Sequence, residues 1–408
     1  MNAHTLPLPL NAIIAALAYF LAASEGWCLG SRIGNQDAEA VARGNAFAAT
    51  ADNPSAIYYN PAGIRQLPGW QFRMGSYITT VESEYRGPAG NTSTKDKYAM
   101  VPQLYATHTP KDSRFSFGLG IYSPFGLGTE WPRGTGFDTL STQTKLTYIR
   151  INPVLAVELL PGLSIGGGPT LNHSSVILKS ALPAPGDEFS FDGNNYDIGY
   201  NAGILWQPHP QWSFGFSTHS NTSFDYDGSV KFTPAPGESP APGESPASAE
   251  LEFPQWYTWG VSYRPTPQWN LEFNLDYTDW STLDTATITG PGGNIPIAFD
   301  WIPGFMYRFG ATYDFGNGWS ASAGYFYTEN SVPDRTFRPA IPDTDLHTGS
   351  VGLAWRRGPW TLAGAAQFTT GPWRKVEGST PNALSGQSAD GEYRYLIPAI
   401  NLSLGYKF

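Results

Sequence analysis

Strict alternation is the feature that most limits what this chain can become. Its last ten residues, AINLSLGYKF (399–408), set Ile400, Leu402, Leu404, Tyr406 and Phe408 against Asn401, Ser403, Gly405 and Lys407. Successive side chains of a strand point to opposite faces, so this is a strand with one apolar face and one polar face. The row recurs at Phe115, Phe117, Leu119 and Ile121, at Tyr196 through Trp206, and at Trp269, Leu271, Phe273, Leu275 and Tyr277. Such a face meets a second sheet in a sandwich, or lipid in a membrane barrel.

Connection lengths separate the two. Strands are expected near 70–81, 98–109, 115–122, 145–159, 163–178, 196–207, 211–222, 256–264, 268–278, 304–314, 319–328, 346–357, 360–370 and 395–408. Turns such as TPKDS (110–114), LPG (160–162), PHP (208–210) and FGNG (315–318) alternate with long connections such as 123–144, 223–255 and 371–394. An up-and-down outer-membrane barrel sorts its loops in this way, with tight periplasmic turns and long outer loops. Trp206, Trp212, Trp256, Trp269, Trp280, Trp319, Trp355 and Trp360 fall at strand ends, where a membrane interface suits an amphipathic ring. Composition agrees. Charged residues make up 14% and aromatics 14% of 408 residues, yet the mean hydropathy is −0.28. An alternating wall never looks apolar on average. The expected fold is all-β: a transmembrane antiparallel up-and-down barrel of about fourteen strands. Closure is required, because an unpaired amide in hydrocarbon costs several kcal/mol. The last strand must therefore pair with the first.

A net charge of −10 and the lack of a basic block argue against a nucleic-acid partner. The single cysteine, Cys28, excludes an internal disulfide, and the Glu25-Gly26-Trp27 before it is a poor lipidation signal. Residues 11–24, NAIIAALAYFLAAS, hold an apolar run of about a dozen residues, short of the ~20 a spanning helix needs. Residues 1–24 read as a cleaved signal peptide, although the usual basic start is missing. Residues 25–68 do not alternate. They begin as a short helix pattern and break at Asn53-Pro54 and Asn60-Pro61. Their Ala- and Gly-rich composition suits a plug within the lumen. The barrel is assigned to 69–408. The tandem APGESPAPGESP (235–246) is expected to be disordered or extended in an outer loop, with no chemistry.

Three stretches carry a resemblance. ARGNAFAATADNPSAIYYNPAGI (42–64), FNLDYTDWSTLD (273–284) and VPDRTFRPAIPDTDLHTGSVGLAWR (332–356) are similar to segments of the long-chain fatty acid outer-membrane transporters, the FadL/TodX family. Asn60, Pro61, Ala62 and Gly63 match the motif of that family's hatch. The resemblance implies a fourteen-stranded barrel blocked by a small, partly helical N-terminal hatch. It implies passive uptake of long-chain fatty acids or aromatic hydrocarbons, with binding in the lumen and sideways exit near the third strand. Here that strand is FSFGLGIYSPFGLG (115–128), which Gly118, Gly120 and Pro124 would weaken. The C-terminal Phe408 resembles the signature read by the barrel-insertion machinery.

A ligand carboxylate needs a lumenal cation. Strand parity turns Arg150 and Arg308 inward, together with Glu158, Glu272, Asp276 and Asp314, so both arginines are candidate contacts or merely braces. Arg43 and Arg65 are no better placed. The expected partners are a hydrophobic ligand and outer-membrane lipid with lipopolysaccharide, and the chain is expected to act as a monomer. No cofactor, metal or catalytic residue is expected. Two other readings stand beside this one: a general diffusion porin, which would lack a hatch, and an outer-membrane lipase, for which Asn172-His173-Ser174-Ser175 is the candidate Ser/His cluster.

Overall fold

The computed structural model describes residues 31–95, 98–184, 186–235 and 243–408. The expected signal peptide, Cys28 and most of the 235–246 repeat lie outside them.

Fourteen antiparallel staves form one closed sheet. They are β1 (Gly69–Thr80, then Glu82–Gly87), β2 (Tyr98–Thr109, preceded by Gly90–Ser93), β3 (Phe115–Tyr122, then Gly126–Glu130), β4 (Gln143–Leu160), β5 (Leu163–Ala181), β6 (Glu188–His209), β7 (Trp212–His219, then Thr222–Thr233), β8 (Gly243–Phe253, then Trp256–Tyr263), β9 (Trp269–Thr278, then Thr285–Gly290), β10 (Gly293–Ala298, then Gly304–Asp314), β11 (Trp319–Thr328), β12 (Leu346–Arg357), β13 (Trp360–Thr370) and β14 (Gly391–Lys407). Closure is direct: β14 pairs with β1, from Gln71 opposite Lys407 to Thr79 opposite Ala399. The alternating apolar rows face outward. Ile400 and Leu402 are exposed, whereas Asn401 is fully buried on the lumenal side.

The sheet runs further outward than alternation alone predicts. β6 starts at Glu188, and the Thr222–Thr233 piece of β7 pairs with Gly243–Phe253 of β8 across the stretch expected to be loop. Here the outward side chains include Asp225, Asp227 and Glu250. Backbone pairing continues above the lipid while the apolar period stops, so periodicity underestimates the strands. The end of the Pro-rich repeat is extended: Gly243 to Pro246 lie opposite Phe232 to Ser229. Two tryptophans also depart from the interfacial role. Trp256 and Trp280 are buried toward the lumen, while Trp206, Trp212, Trp269, Trp319 and Trp360 are exposed.

Residues 31–68 pack inside the sheet. They form helix α1 (Ala38–Ala42), capped by the Asp37 side chain, helix α2 (Ala56–Tyr59) and a tight turn over Pro61–Gln66. Almost every residue from Ser31 to Ile64 is buried.

Candidate functional site

Charge and hydrogen bonding fix the inserted segment to the wall. Arg73 of β1 binds Asp37, with Nη2 donating to Oδ1 at 2.9 Å. Glu272 of β9 accepts from the backbone N–H groups of Ala49 (2.9 Å) and Thr50 (3.0 Å). Asn274 Oδ1 accepts from those of Phe47 and Ala48. Asp276, fully buried, takes Arg32 of the insert and Arg308 of β10, the latter at 3.1 Å. These charges sit where an unpaired ion would cost several kcal/mol, so each carboxylate needs its cation in place.

Asn60, Pro61, Ala62 and Gly63 build one corner of this contact. Asn60 donates from Nδ2 to the carbonyls of Ala48 (2.8 Å) and Ile204 (3.0 Å), and its Oδ1 accepts from Ala62 N–H. Pro61 begins the following turn, where no donor is needed. Ser164 of β5 donates to the Ala62 carbonyl. Gly203 of β6 makes room: a Cβ there would lie 2.2 Å from Asn60 Oδ1.

The wall is interrupted beside the insert. β2 pairs with β1 along its whole length, but with β3 only from Leu104 to His108. Beyond Tyr122 the outer piece of β3, Gly126–Glu130, pairs with β4 alone. The break falls at Ser123-Pro124-Phe125. Above it, Lys95 N–H donates to the Glu130 carbonyl at 2.9 Å. The insert supplies the missing partners from within. Ile33 N–H donates to the Pro124 carbonyl and Gln36 Nε2 to that of Ser123, both at 2.7 Å. Gln103 of β2 donates to the Asn35 carbonyl at 2.7 Å. Gly118 and Gly120 lie on the unbroken part of β3, where a Cβ at either would press to 2.9 Å on Ile57. Close approach of the insert accounts for both glycines.

Above the insert lies a cavity of about 690 Å³. Phe191, Tyr226, Phe253, Trp280, Ile288 and Ile297 are among the side chains that line it, and Leu127 of the outer β3 piece reaches it. Loop residues Phe337 and Ile341 cover it from the segment 329–345. Aromatic packing continues below, where Phe125 sits 4.8 Å from Phe253 and 5.6 Å from Trp256, ring centre to ring centre.

The candidate cations sit beneath this cavity. Arg150 and Arg308 are inward and buried, as parity requires, but neither lines the cavity. Arg308 shares Asp276 with Arg32. Arg150 has no carboxylate partner among the described residues. It donates to Asn172 Oδ1 (2.6 Å) and Tyr148 OH (3.0 Å), and it lies 3.2 Å from His219 Nδ1. Arg65 pairs with Glu158, and Arg43 reaches Glu272 at 3.7 Å. Glu272 and Asp276 are inward as expected. Asp314 instead ends its strand exposed, accepting from Gly316 N–H in the turn. In the Asn172–Ser175 stretch Asn172 and Ser174 are fully buried and point into the lumen, and the intervening His173 belongs to the opposite face. The cluster therefore divides between two sides of the wall. Sequence reasoning missed Arg338, which borders the cavity from a loop, where strand parity is silent. Its one signal was its apolar company, Phe337, Pro339, Ala340 and Ile341.

Comparison with known proteins gives this architecture its relatives. The family model described as outer membrane protein transport protein (OMPP1/FadL/TodX) matches residues 19–370. The long-chain fatty acid transport protein of Escherichia coli O6:H1 is 24% identical over 385 residues, covering 83% of this chain and 86% of its own. The 47 kDa outer membrane protein of Pasteurella multocida is 24% identical over 343 residues, covering 76% and 80%. Among solved structures, a Pseudomonas aeruginosa FadL homologue superposes with a TM-score of 0.83 at 19% identity, over 93% of this chain and 100% of that one. The Pseudomonas putida toluene transporter TodX superposes at 0.71 with 16% identity, over 94% and 98%. With a family model along most of its length and a closed fourteen-stranded wall, the chain belongs to the OMPP1/FadL/TodX family of outer-membrane transporters of hydrophobic compounds.

Proposed function

We propose that this protein takes up long-chain fatty acids or aromatic hydrocarbons passively, binding them in the outer cavity and releasing them sideways where β2 and β3 part. Residues 31–68 act as the hatch. The observation that carries this reading is the juxtaposition of an apolar cavity with an interrupted wall whose loose edges are tied to the hatch. Leu127 belongs to both, since it lines the cavity and follows the break. The relatives named for fatty acids and for toluene support the same class of cargo.

Physical chemistry supports the route. Each CH₂ removed from water is worth about 0.8 kcal/mol, so an apolar solute gains by passing from cavity to bilayer and needs no coupled energy source. The hatch must yield at Ile33–Gln36, because these residues hold both edges of the break. Arg150, which lacks a carboxylate partner among the described residues, and Arg308 remain candidate contacts for a cargo carboxylate moving down the lumen. The filled lower lumen favours this reading over a diffusion porin.

Uptake of labelled hexadecanoic acid and of toluene by cells lacking their own transporter tests it. The protein should accelerate at least one. A cross-link between cysteines placed at Gln103 and Ser123 should stop uptake, and its reduction should restore it. A steady, large ionic conductance in planar bilayers would make the protein a porin.

A further inference from the structure

Three cationic residues border the outer cavity: Lys179, Arg335 and Arg338. Two have acidic partners. Lys179 lies 3.4 Å from Glu188, and Arg335 pairs with Asp300. Arg338 has none: no hydrogen bond, ion pair or ring contact engages its guanidinium among the described residues. Glu250 and Glu252 belong to a wall strand of the same space but lie on its outward face, and neither pairs with Arg338. Burial alone acts on its proton affinity and pulls it down, with no neighbouring acid to offset the loss of water. A cation held against an apolar cavity without a counter-ion is unfavourable unless something supplies one.

The backbone around Arg338 is held firmly. The Trp131 indole N–H donates to the Pro339 carbonyl and Thr129 Oγ1 to that of Ala340, both at 2.8 Å. The guanidinium thus projects from a loop fastened to the far end of the outer β3 piece. Arg presents a fixed fork of donors that matches a carboxylate in two-point contact.

We infer that Arg338 sets the headgroup preference of the cavity by holding the carboxylate of an amphiphile whose apolar chain lies among Phe253, Trp280, Ile288 and Leu127. This rests on the uptake reading and narrows it. The favoured cargo is an acid with a long apolar tail rather than an uncharged aromatic hydrocarbon. The carboxylate supplies the counter-ion that the fold leaves out, and the head is fixed beside the strand through which the tail would leave.

Equilibrium binding to the purified full-length protein in detergent at pH 8 tests this, with hexadecanoic acid, its methyl ester and toluene as probes. The wild type should bind the acid at least ~10-fold more tightly than the ester, about 1.4 kcal/mol. Arg338→Gln should bring the acid's affinity down to the ester's, and Arg338→Lys should recover part of the difference. Arg335→Gln, at a cation that borders the same cavity but already pairs with Asp300, should keep the acid preference. A preference that survives Arg338→Gln, or disappears with Arg335→Gln instead, overturns the assignment. So does a wild type that binds acid and ester equally, although uptake would then stand. If none of the three probes binds, the uptake reading falls and this inference falls with it. Unchanged heat-induced gel mobility of each variant confirms an intact barrel.

Discussion

The lower and upper halves of the lumen are built on opposite principles. Below, residues 31–68 are held by directional contacts: Glu272 and Asn274 read consecutive backbone N–H groups from Phe47 to Thr50, and Asp276 takes cations from both insert and wall. Above, the cavity walls are Phe, Tyr, Trp, Ile and Leu side chains, with polar groups at the margins. Hydrogen bonds and ion pairs specify one position, because each has a narrow range of distance and angle. Apolar burial specifies only that water is excluded, and it is indifferent to shape within wide limits. The same barrel thus contains a part that must sit in one place and a part whose walls fix only a volume and an apolar lining.

The largest effects are expected where that lower specificity is removed. Asp276→Asn leaves Arg32 and Arg308 buried without their shared counter-ion, at a cost of about 3–5 kcal/mol. The outer wall, held by its own ladders, should survive. Proteolysis from the periplasmic side should then cut within 31–68 in the variant and spare the wild type. Equal resistance would mean that the insert is held by shape alone. Shape is tested by Gly324→Ala. A Cβ at Gly324 would lie 2.0 Å from the Gly44 backbone N, with no flexible side chain to move aside. Overpacking of this kind costs about 1–3 kcal/mol, and the same protease assay should report it as a smaller gain in cleavage.

The apolar wall of the upper half should respond to volume. Ala286→Trp places a large ring at the cavity wall without touching the insert. Binding of hexadecanoic acid should weaken roughly tenfold, or about 1.4 kcal/mol, with protease resistance of 31–68 unchanged. A loss of resistance would show that the two halves are coupled more tightly than their contacts indicate.

The two halves were also unequally legible in the sequence. Period-two alternation, short turns and the need for closure were enough to expect about fourteen staves and the β14–β1 seam, because lipid imposes one rule on every outward residue. Parity placed Arg150, Glu272, Asp276 and Arg308 inward for the same reason. The rule failed where lipid ends. Asp225, Asp227 and Glu250 continue strands that the pattern had ended, and Trp256 and Trp280 turn inward, where Trp280 lines the cavity. The gap between β2 and β3 was hinted at by Pro124, but its real cause is long-range. Ile33 and Gln36, far earlier in the chain, take over carbonyls at Pro124 and Ser123. Arg338 was invisible for want of a periodic frame, since a loop side chain has no face to be assigned to.

The loop that carries Arg338 offers the smallest predicted effect, and it bears on how firmly the cavity is roofed. Asp343, five residues on, is buried beneath the loop and accepts from Ser331 N–H at 3.1 Å, while its carbonyl takes Arg374 Nη1 at 2.7 Å. Burial is the largest influence and pushes its carboxyl up to about 6; Asp345 adds to the rise, and Arg374 and the backbone N–H groups oppose it. A folded-state value raised above the ordinary 3.8 means that the closed loop favours the protonated form. That contribution is complete below 3.8 and is lost as pH rises through about 6. Between pH 5 and 7 the loss is on the order of 1 kcal/mol. Hydrogen exchange in 329–345, corrected for the intrinsic rate, should therefore show protection falling by nearly tenfold over that interval. Asp343→Asn keeps an acceptor without the charge, so its protection should stay level. If the wild type were level too, the carboxylate would be reaching water that the buried position denies it, and the roof would be looser than the apolar packing of Phe337 and Ile341 implies.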